Sequence, residues 1–143
     1  MIQKYIGKIS GPLLDRIDIH IQVQSVKYQE LSGRVPAEPS AEIRKRVIKA
    51  REAQQERFKN RPNMFSNADM QTNDIKMYCE IDASSNELLK MAITKLGLSA
   101  RAYDRILKVA RTIADLAGEE KNNSAHIGEA IQYRSLDRNM WLS

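Results

Sequence analysis

Two arginines stand where an arginine can do chemistry. Arg101 follows Ser99 by two residues in Leu96-Gly97-Leu98-Ser99-Ala100-Arg101, and serine is a preferred helix N-cap. A cation in a first helical turn opposes the helix dipole, at a cost of about 0.3–1 kcal/mol. A helix N-terminus beside a guanidinium suits a phosphate. Arg105, Lys108 and Thr112 continue nearly in line with Arg101 at helical spacing. They lie opposite a broad apolar half of Ala102, Ile106, Val109, Ala110, Ile113, Ala114, Leu116 and Ala117. The plainer alternative is a solvated Arg101, or one held by the nearby Asp104, and spacing alone favours it. Arg16 lies between Asp15 and Asp18, just ahead of an alternating stretch. It reads either as a local ion pair, worth little if exposed, or as an arginine presented at a strand edge to a neighbouring molecule. Spacing alone does not decide, and the ion pair is the simpler reading.

A third group of cations is Arg44, Lys45, Arg46, Lys49, Arg51, Arg57, Lys59 and Arg61. On a helical wheel they spread around most of the non-apolar surface, with Glu42, Glu52 and Glu56 among them. Glu42 and Arg46 are spaced for an i, i+4 pair. Tight nucleic-acid grips use a clustered positive face with stacking aromatics or base-reading side chains. Phe58 is the only aromatic here, and it falls on the apolar side. A charge-laced solvated helix and phosphate-backbone contact through Arg44, Lys45, Lys49 and Arg51 both stay open. Cys79, among Ile75, Met77 and Tyr78, reads as a small core residue. His20 and His126 have no triad or metal partner, and no metal site is expected. Met64, Met70, Met77 and Met91 read as core fillers. The sequence has no Gly-rich phosphate loop ending in Lys and Ser or Thr, and no apolar run ending in paired acids. The chain is therefore not expected to bind and hydrolyse a nucleotide unaided.

The composition narrows the setting. A length of 143 residues is one domain, or one small domain with an appendage. Hydrophobic residues at 42% and charged residues at 29% fit a globular chain rather than a disordered one. No apolar run approaches the roughly 18 residues that span a bilayer, and no charged-then-apolar leader opens the chain. Transmembrane and secreted-precursor readings are set aside, and a cytoplasmic location is expected. The single cysteine rules out an internal disulfide framework and a multi-cysteine zinc site. The net charge is +5, from 23 Lys and Arg against 18 Asp and Glu. Eight of those cations and three of those acids fall in residues 40–61, which alone account for the +5. The basic character thus belongs to one stretch, and Arg16 and Arg101 lie outside it.

The elements that must position these residues are mostly helical. Ser10 to Arg16 reads as a turn and a short helical piece, with Pro12 suited to a first turn. Ile17-Asp18-Ile19-His20-Ile21-Gln22-Val23 alternates strictly, the pattern of a half-buried strand. A lone strand cannot pair with itself, so it needs neighbours outside this sequence or sits as an orphan. Residues 24–39 read as a loop that closes on Ser32 to Pro39. Ser40 is expected to cap a long helix to about Asn60, with Glu42 in its first turn. Its apolar stripe of Ile43, Val47, Ala50, Gln54 and Phe58 is thin and implies partial burial. Thr72 or Asn73 opens a short helix through Met77 and Cys79. Ser84 with Glu87 fits a capping box for a helix carrying Leu88, Leu89, Met91, Ala92, Ile93 and Leu96, which Gly97 stops. Ser99 caps the next, through about Ala117 and Gly118. Ser124 caps the last, with Ile127, Ala130 and Ile131 inward. The expected architecture is mainly α, a small helical bundle preceded by one long basic helix and one orphan strand. Its parts are residues 1–39, 40–62 and 63–143.

Two segments together resemble a known family. Ile9-Ser10-Gly11-Pro12-Leu13-Leu14-Asp15-Arg16-Ile17-Asp18 and the run from Leu96-Gly97-Leu98-Ser99-Ala100-Arg101 to Leu116 are similar to the C-terminal part of magnesium-chelatase-like AAA+ ATPases, of the ComM/YifB competence-related type. The basic Ser40–Phe58 segment and Ala130 to Arg138 extend the resemblance to nearly the whole chain. The resemblance implies a helical lid of a ring-forming ATPase, with ATP and magnesium as cofactors of the parent protein. It implies an arginine finger at Arg16, reaching the nucleotide of an adjacent subunit. It implies a sensor-2 arginine at Arg101 near the γ-phosphate, with Arg105 beside it toward the cofactor. The alternating strand would then be the last strand of an α/β core, and the chain is expected to be the ending of a longer protein. The implied partners are that missing N-terminal core, neighbouring subunits of a homo-oligomeric ring, a hexamer, and DNA, with no membrane. Two other functions stay in view: an autonomous basic helical DNA-binding module, and a passive helical interaction domain.

Overall fold

The computed structural model describes residues 8–21, 23, 25, 33 and 36–134. Gln22 of the expected strand, most of the expected loop and residues 135–138 of the last resembling segment lie outside the described residues. Among the described residues, six α-helices and one 3₁₀ turn follow in order: α1 (Gly11–Leu14), α2 (Ser40–Phe58), the turn (Asn67–Asp69), α3 (Thr72–Tyr78), α4 (Ala83–Leu96), α5 (Ala100–Ala117) and α6 (Ser124–Gln132). The molecule is mainly α, as the periodicity implies.

The central element is α5, which packs against α6, α2, α3, α4 and the 3₁₀ turn. Its start is set by Ser99, whose hydroxyl accepts from the Ala102 N–H at 3.3 Å. Its end is set by Gly118 at φ 74°, a left-handed cap that a residue without Cβ takes at little cost. Ala102, Ile106, Leu107, Ala110 and Ala114 are buried along its inner side. Ile106, Leu107 and Ala110 form one cluster with Phe58 of α2, Met70, Ile75 and Cys79 around α3, Leu89 of α4, and Ile127 and Ala130 of α6. Phe58 and Tyr78 stack edge to face with centroids 5.3 Å apart. Burying a ring such as that of Phe58 contributes about 1.5–3 kcal/mol, so the end of α2 is part of this core.

Several start signals shift by one or two residues. Helix α4 is capped by Asp82, which accepts from the Ser85 N–H at 2.7 Å and the Ser84 hydroxyl at 2.9 Å. Ser84 therefore serves the cap rather than being it. Helix α6 is capped by Asn123, which accepts from the Ala125 and His126 N–H groups at 3.0 and 3.1 Å. Ser124 is the first helical residue. His126 Nδ1 accepts from the Asn123 N–H at 3.2 Å, which closes the box and explains the buried histidine. Helix α2 has Pro39 at its N-cap and no side-chain cap, and it ends at Phe58 rather than Asn60. Asp and Asn are preferred N-caps, whose side-chain oxygens accept directly from first-turn N–H groups. Glu42 pairs with Lys45 at 2.7 Å, not with Arg46, which pairs with Glu38. Met70 fills the core and Met64 packs on it, whereas Met77 and Met91 are exposed.

The alternating stretch departs furthest from expectation. Among its described residues there is no strand. The only bridge pairing among the described residues joins Ile81 to Asn122. Ile17, Ile19, Ile21 and Val23 all face outward, Ile21 and Val23 at 66% and 86% exposure. His20, on the expected polar face, is buried, and its N–H donates to the Tyr133 carbonyl at 2.7 Å. A strand needs a neighbour to take its backbone bonds and its apolar face; among the described residues the Tyr133 carbonyl takes the His20 N–H, and no strand lies alongside.

Candidate functional site

The cationic row on α5 lies beside the Arg16 turn. Arg101, Asp104, Arg105 and Lys108 of α5, with Asp18 and Ala68, line an open polar cleft of about 290 Å³. Arg105 donates to the Arg16 carbonyl at 2.9 Å and also bonds the Asp18 carboxylate. Lys108 Nζ donates to the Ala68 carbonyl at 2.9 Å. The Thr112 hydroxyl donates to the Lys108 carbonyl at 3.0 Å and accepts from Asn67 Nδ2 at 3.0 Å. Three of the four positions in the row are thus engaged with the protein. Arg101 is exposed in the first turn of α5, and it has no hydrogen-bond or ion-pair partner among the described residues. Asp104 does not hold it; its carboxylate accepts from the Thr72 hydroxyl at 3.5 Å.

Arg16 is arranged in the same way. It follows α1, whose turn is closed by Ser10 and Pro12 at its start. Its N–H donates to the Leu13 carbonyl at 3.0 Å. Its side chain is exposed and makes no ion pair with any described residue, so the local pairing with Asp15 or Asp18 is not formed. Those acids face other arginines: Asp18 meets Arg105, and Asp15 lies 3.8 Å from Arg134. The cleft and the turn therefore offer two unengaged guanidiniums at one end of the bundle. No group of three or more His, Cys, Asp or Glu side chains that could hold a metal ion occurs among the described residues. Guanidiniums of this kind have the charge and donor geometry that phosphate oxygens take up.

The basic helix divides in two. Ser40 to Lys49 are exposed throughout, including Ile43, Val47 and Ile48, while Ala50, Gln54 and Phe58 are buried. Lys45, Arg46 and Lys59 pair with acids on or next to their own helix. Arg61 pairs with Asp74 of α3. Arg44, Lys49 and Arg51 have no partner among the described residues.

Arg57 belongs to a network that spacing alone does not announce. It donates through Nη1 to Asp115 Oδ2 at 2.9 Å and to Asn67 Oδ1 at 2.8 Å, and through Nη2 to Asp115 Oδ1. Arg111 reaches the same Asp115 oxygen from Nη2 at 3.0 Å and also bonds the Glu119 and Glu120 carbonyls after α5. Asn67 Nδ2 adds a bond to Asp115 at 2.8 Å, and the Asn67 N–H donates to Gln54 at 3.0 Å. Gln54, which interrupts the apolar stripe of α2, is thus a buried acceptor. Arg111 and Asp115 are 2% and 5% exposed. Burial would raise the Asp115 carboxyl, but bonds from Arg57 and Asn67 and the charges of Arg57 and Arg111 hold it below the usual aspartate range. The only available signal was an i, i+4 Arg–Asp pair between the apolar half and the cationic row of α5. Cys79 is buried, and burial pushes its thiol up to about 12, so it is not a nucleophile.

The sequence matches the family described as magnesium chelatase, subunit ChlI, C-terminal over residues 37–134, and that described as magnesium chelatase, subunit ChlI over residues 1–31. It is 41% identical over 138 residues to the competence protein ComM of Haemophilus influenzae, covering 96% of this chain and 26% of that protein. It is 38% identical over 136 residues to the uncharacterized protein YifB of Escherichia coli, covering 94% of this chain and 26% of that protein. A further uncharacterized protein, from Mycobacterium tuberculosis, is 33% identical over 133 residues, or 92% of this chain and 26% of that protein. The chain spans about a quarter of the length of the curated relatives it matches.

Proposed function

Because the chain belongs to the magnesium-chelatase family, as a C-terminal region of the ComM/YifB type, we propose that it is the lid end of a ring-forming ATPase and supplies two arginines to ATP hydrolysis. Residues 1–39 then close the ATPase core, residues 40–62 connect, and residues 63–143 form the lid. Arg16 acts as an arginine finger toward the nucleotide of the next subunit. Arg101 acts as the sensor-2 arginine. The observation that carries this reading is their shared state: both guanidiniums are exposed and unengaged, while Arg105, Lys108 and Arg134 around them bond the protein. When bound, the nucleotide with its magnesium supplies the phosphoryl group, whose charge spreads over its oxygens in the transition state. An arginine placed there stabilises that charge without reorganising at the moment of reaction. The full-length protein would thus be an intracellular ATP hydrolase assembled as a hexamer, with the core elsewhere in its sequence holding the nucleotide and metal. Arg16→Ala and Arg101→Ala in that protein should each lower ATP turnover strongly and leave folding intact. Near-parental turnover in both overturns the assignment.

A second role, DNA contact along α2, is favoured by one observation. Arg44 and Lys49 on the outer half of the helix, and Arg51 just past it, are exposed without partners among the described residues, with Lys45 among them on Glu42. Its mark is duplex binding whose affinity falls steeply as salt rises. No mobility shift at low salt removes it. No described helix is long and apolar enough to cross a membrane.

A further inference from the structure

We propose that Arg105 and Arg134 are positioning residues that lock the Arg16 turn onto the helical bundle, so that Arg16 and Arg101 move as one rigid unit. This inference rests on the roles assigned above to those two arginines and adds the coupling between them.

Four consecutive residues carry the argument. The carbonyl of Arg16 accepts from Arg105 at 2.9 Å, and the carbonyl of Ile17 accepts from Arg134 Nη1 at 3.1 Å. The flanking acids are held by the same two side chains, Asp18 by Arg105 and Asp15 at 3.8 Å by Arg134. Two carbonyls and two carboxylates in this stretch are thus met by two guanidiniums, one on α5 and one just past the end of α6. A guanidinium is a planar fork with fixed donor directions, so one that grips a carbonyl and a carboxylate together constrains orientation as well as distance. Arg134 is 1% exposed, and burial of its long side chain beneath this turn fixes the grip further. The His20 N–H on the Tyr133 carbonyl ties the chain to the end of α6 a second time. The Arg16 side chain is left pointing outward, beside that of Ile17.

The anchor points fall on the helix that carries the other arginine. Arg105 is one turn along α5 from Arg101. A tilt of α5 that follows the nucleotide beside Arg101 would carry the Arg16 turn with it, through two bonds rather than through a flexible loop. In a ring, that delivers the state of one subunit's nucleotide to the finger aimed at the next. Arg105 on this account serves a carbonyl and a carboxylate of its own chain rather than a phosphate.

Two measurements test it. In the 143-residue chain, nitroxide labels are placed through Arg16→Cys and Arg101→Cys. Both substitutions spare the clamp, which uses only the backbone of residue 16. Buried Cys79, with its thiol at about 12, stays unlabelled. One narrow distance distribution is expected, and it should broaden and lose its main peak on adding Arg105→Ala or Asp15→Asn. Asp15→Asn is the milder cut on the Arg134 side, because Arg134 itself is buried. A distribution equally narrow in both variants overturns the clamp. In the full-length protein, Arg105→Ala should lower kcat by about tenfold to a hundredfold, the scale of a misplaced catalytic group. KM for ATP should not change, and Arg16→Ala should lose nothing more when Arg105→Ala is added. A raised KM, or losses that multiply in the double variant, overturns the proposal in favour of Arg105 as a nucleotide ligand. If Arg16→Ala alone turns over normally, the finger role fails, and the distance measurement still decides the clamp.

Discussion

Helix α5 carries two arginine clusters, and they use the same residue type in opposite ways. Toward its C-terminal end, Arg111 and the incoming Arg57 close on Asp115 and Asn67, buried at the junction of α2, α5 and the 3₁₀ turn. At its N-terminal end, Arg101 points into an open cleft with no partner, while Arg105 holds the chain that carries Arg16. The first cluster is closed. Burying charges costs several kcal/mol unless each is paired, and here each is paired. The second is left incomplete. An exposed guanidinium needs no partner to be tolerated, so one kept unpaired beside engaged neighbours remains available to an incoming anion. What separates a structural arginine from a functional one in this molecule is the place of its acceptor, inside the chain or outside it.

The contrast breaks or holds on a crossed experiment. Arg16→Ala in the full-length protein should lower ATP turnover about a thousandfold or more, the usual worth of an arginine finger. Its unfolding free energy should stay within about 0.5 kcal/mol of the parent, as for surface positions generally. Asp115→Ala should do the reverse to stability, costing about 3–5 kcal/mol in urea unfolding, because it takes the shared carboxylate from buried Arg111 and part-buried Arg57. If Arg16→Ala unfolds the protein, or Asp115→Ala leaves the urea midpoint in place, the two clusters do not differ as described.

Acid sharpens the same comparison. Asp115 is held below the usual aspartate range in the folded state. A depressed carboxyl contributes stability that is fully present above its unfolded value, near pH 4, and is lost as pH falls from there through the folded value. The parent should therefore lose thermal stability below about pH 4 more steeply than Asp115→Asn. Arg101→Ala should follow the parent curve, because an arginine does not titrate in that window. Parallel curves for the parent and Asp115→Asn would remove Asp115 from the acid response.

How much of this was legible follows from the range of each interaction. The helices of the bundle, the Gly97 and Gly118 stops and the Ser99 cap are local and were readable from spacing. The caps at Asp82 and Asn123 were missed because Ser84 and Ser124, one or two residues on, carry an equally good local signal. At residues 17–23 alternation records which residues share a face; the expected lack of a neighbour within the chain holds among the described residues, and without one the stretch does not form a strand. His20 is buried and the isoleucines exposed, the reverse of the expectation. Arg101 and the row behind it were visible as a helical face. The Arg57–Asp115 bond spans 58 residues and the Arg134–Ile17 bond 117, and no periodicity reports contacts at that range.

Helix α2 repeats the contrast within one element, and the smallest predicted effect lies there. Arg57, next to Phe58 in the chain, is committed to Asp115, whereas Arg51, six residues earlier, is exposed and has no partner among the described residues. Arg57→Ala should cost several kcal/mol for the reason given for Asp115. Arg51→Ala should fall within about 0.5 kcal/mol. Its expected signature is in DNA binding, where removing one phosphate contact weakens affinity alike on every sequence and lowers the salt slope by about one. Arg44→Ala and Lys49→Ala should each do the same. Lys45→Ala should have less effect, since its ammonium already pairs with Glu42. An unchanged slope in all three of Arg44→Ala, Lys49→Ala and Arg51→Ala would leave the outer half of α2 a solvated helix, and the unpaired arginines at Arg16 and Arg101 would be the ones with a ligand to meet.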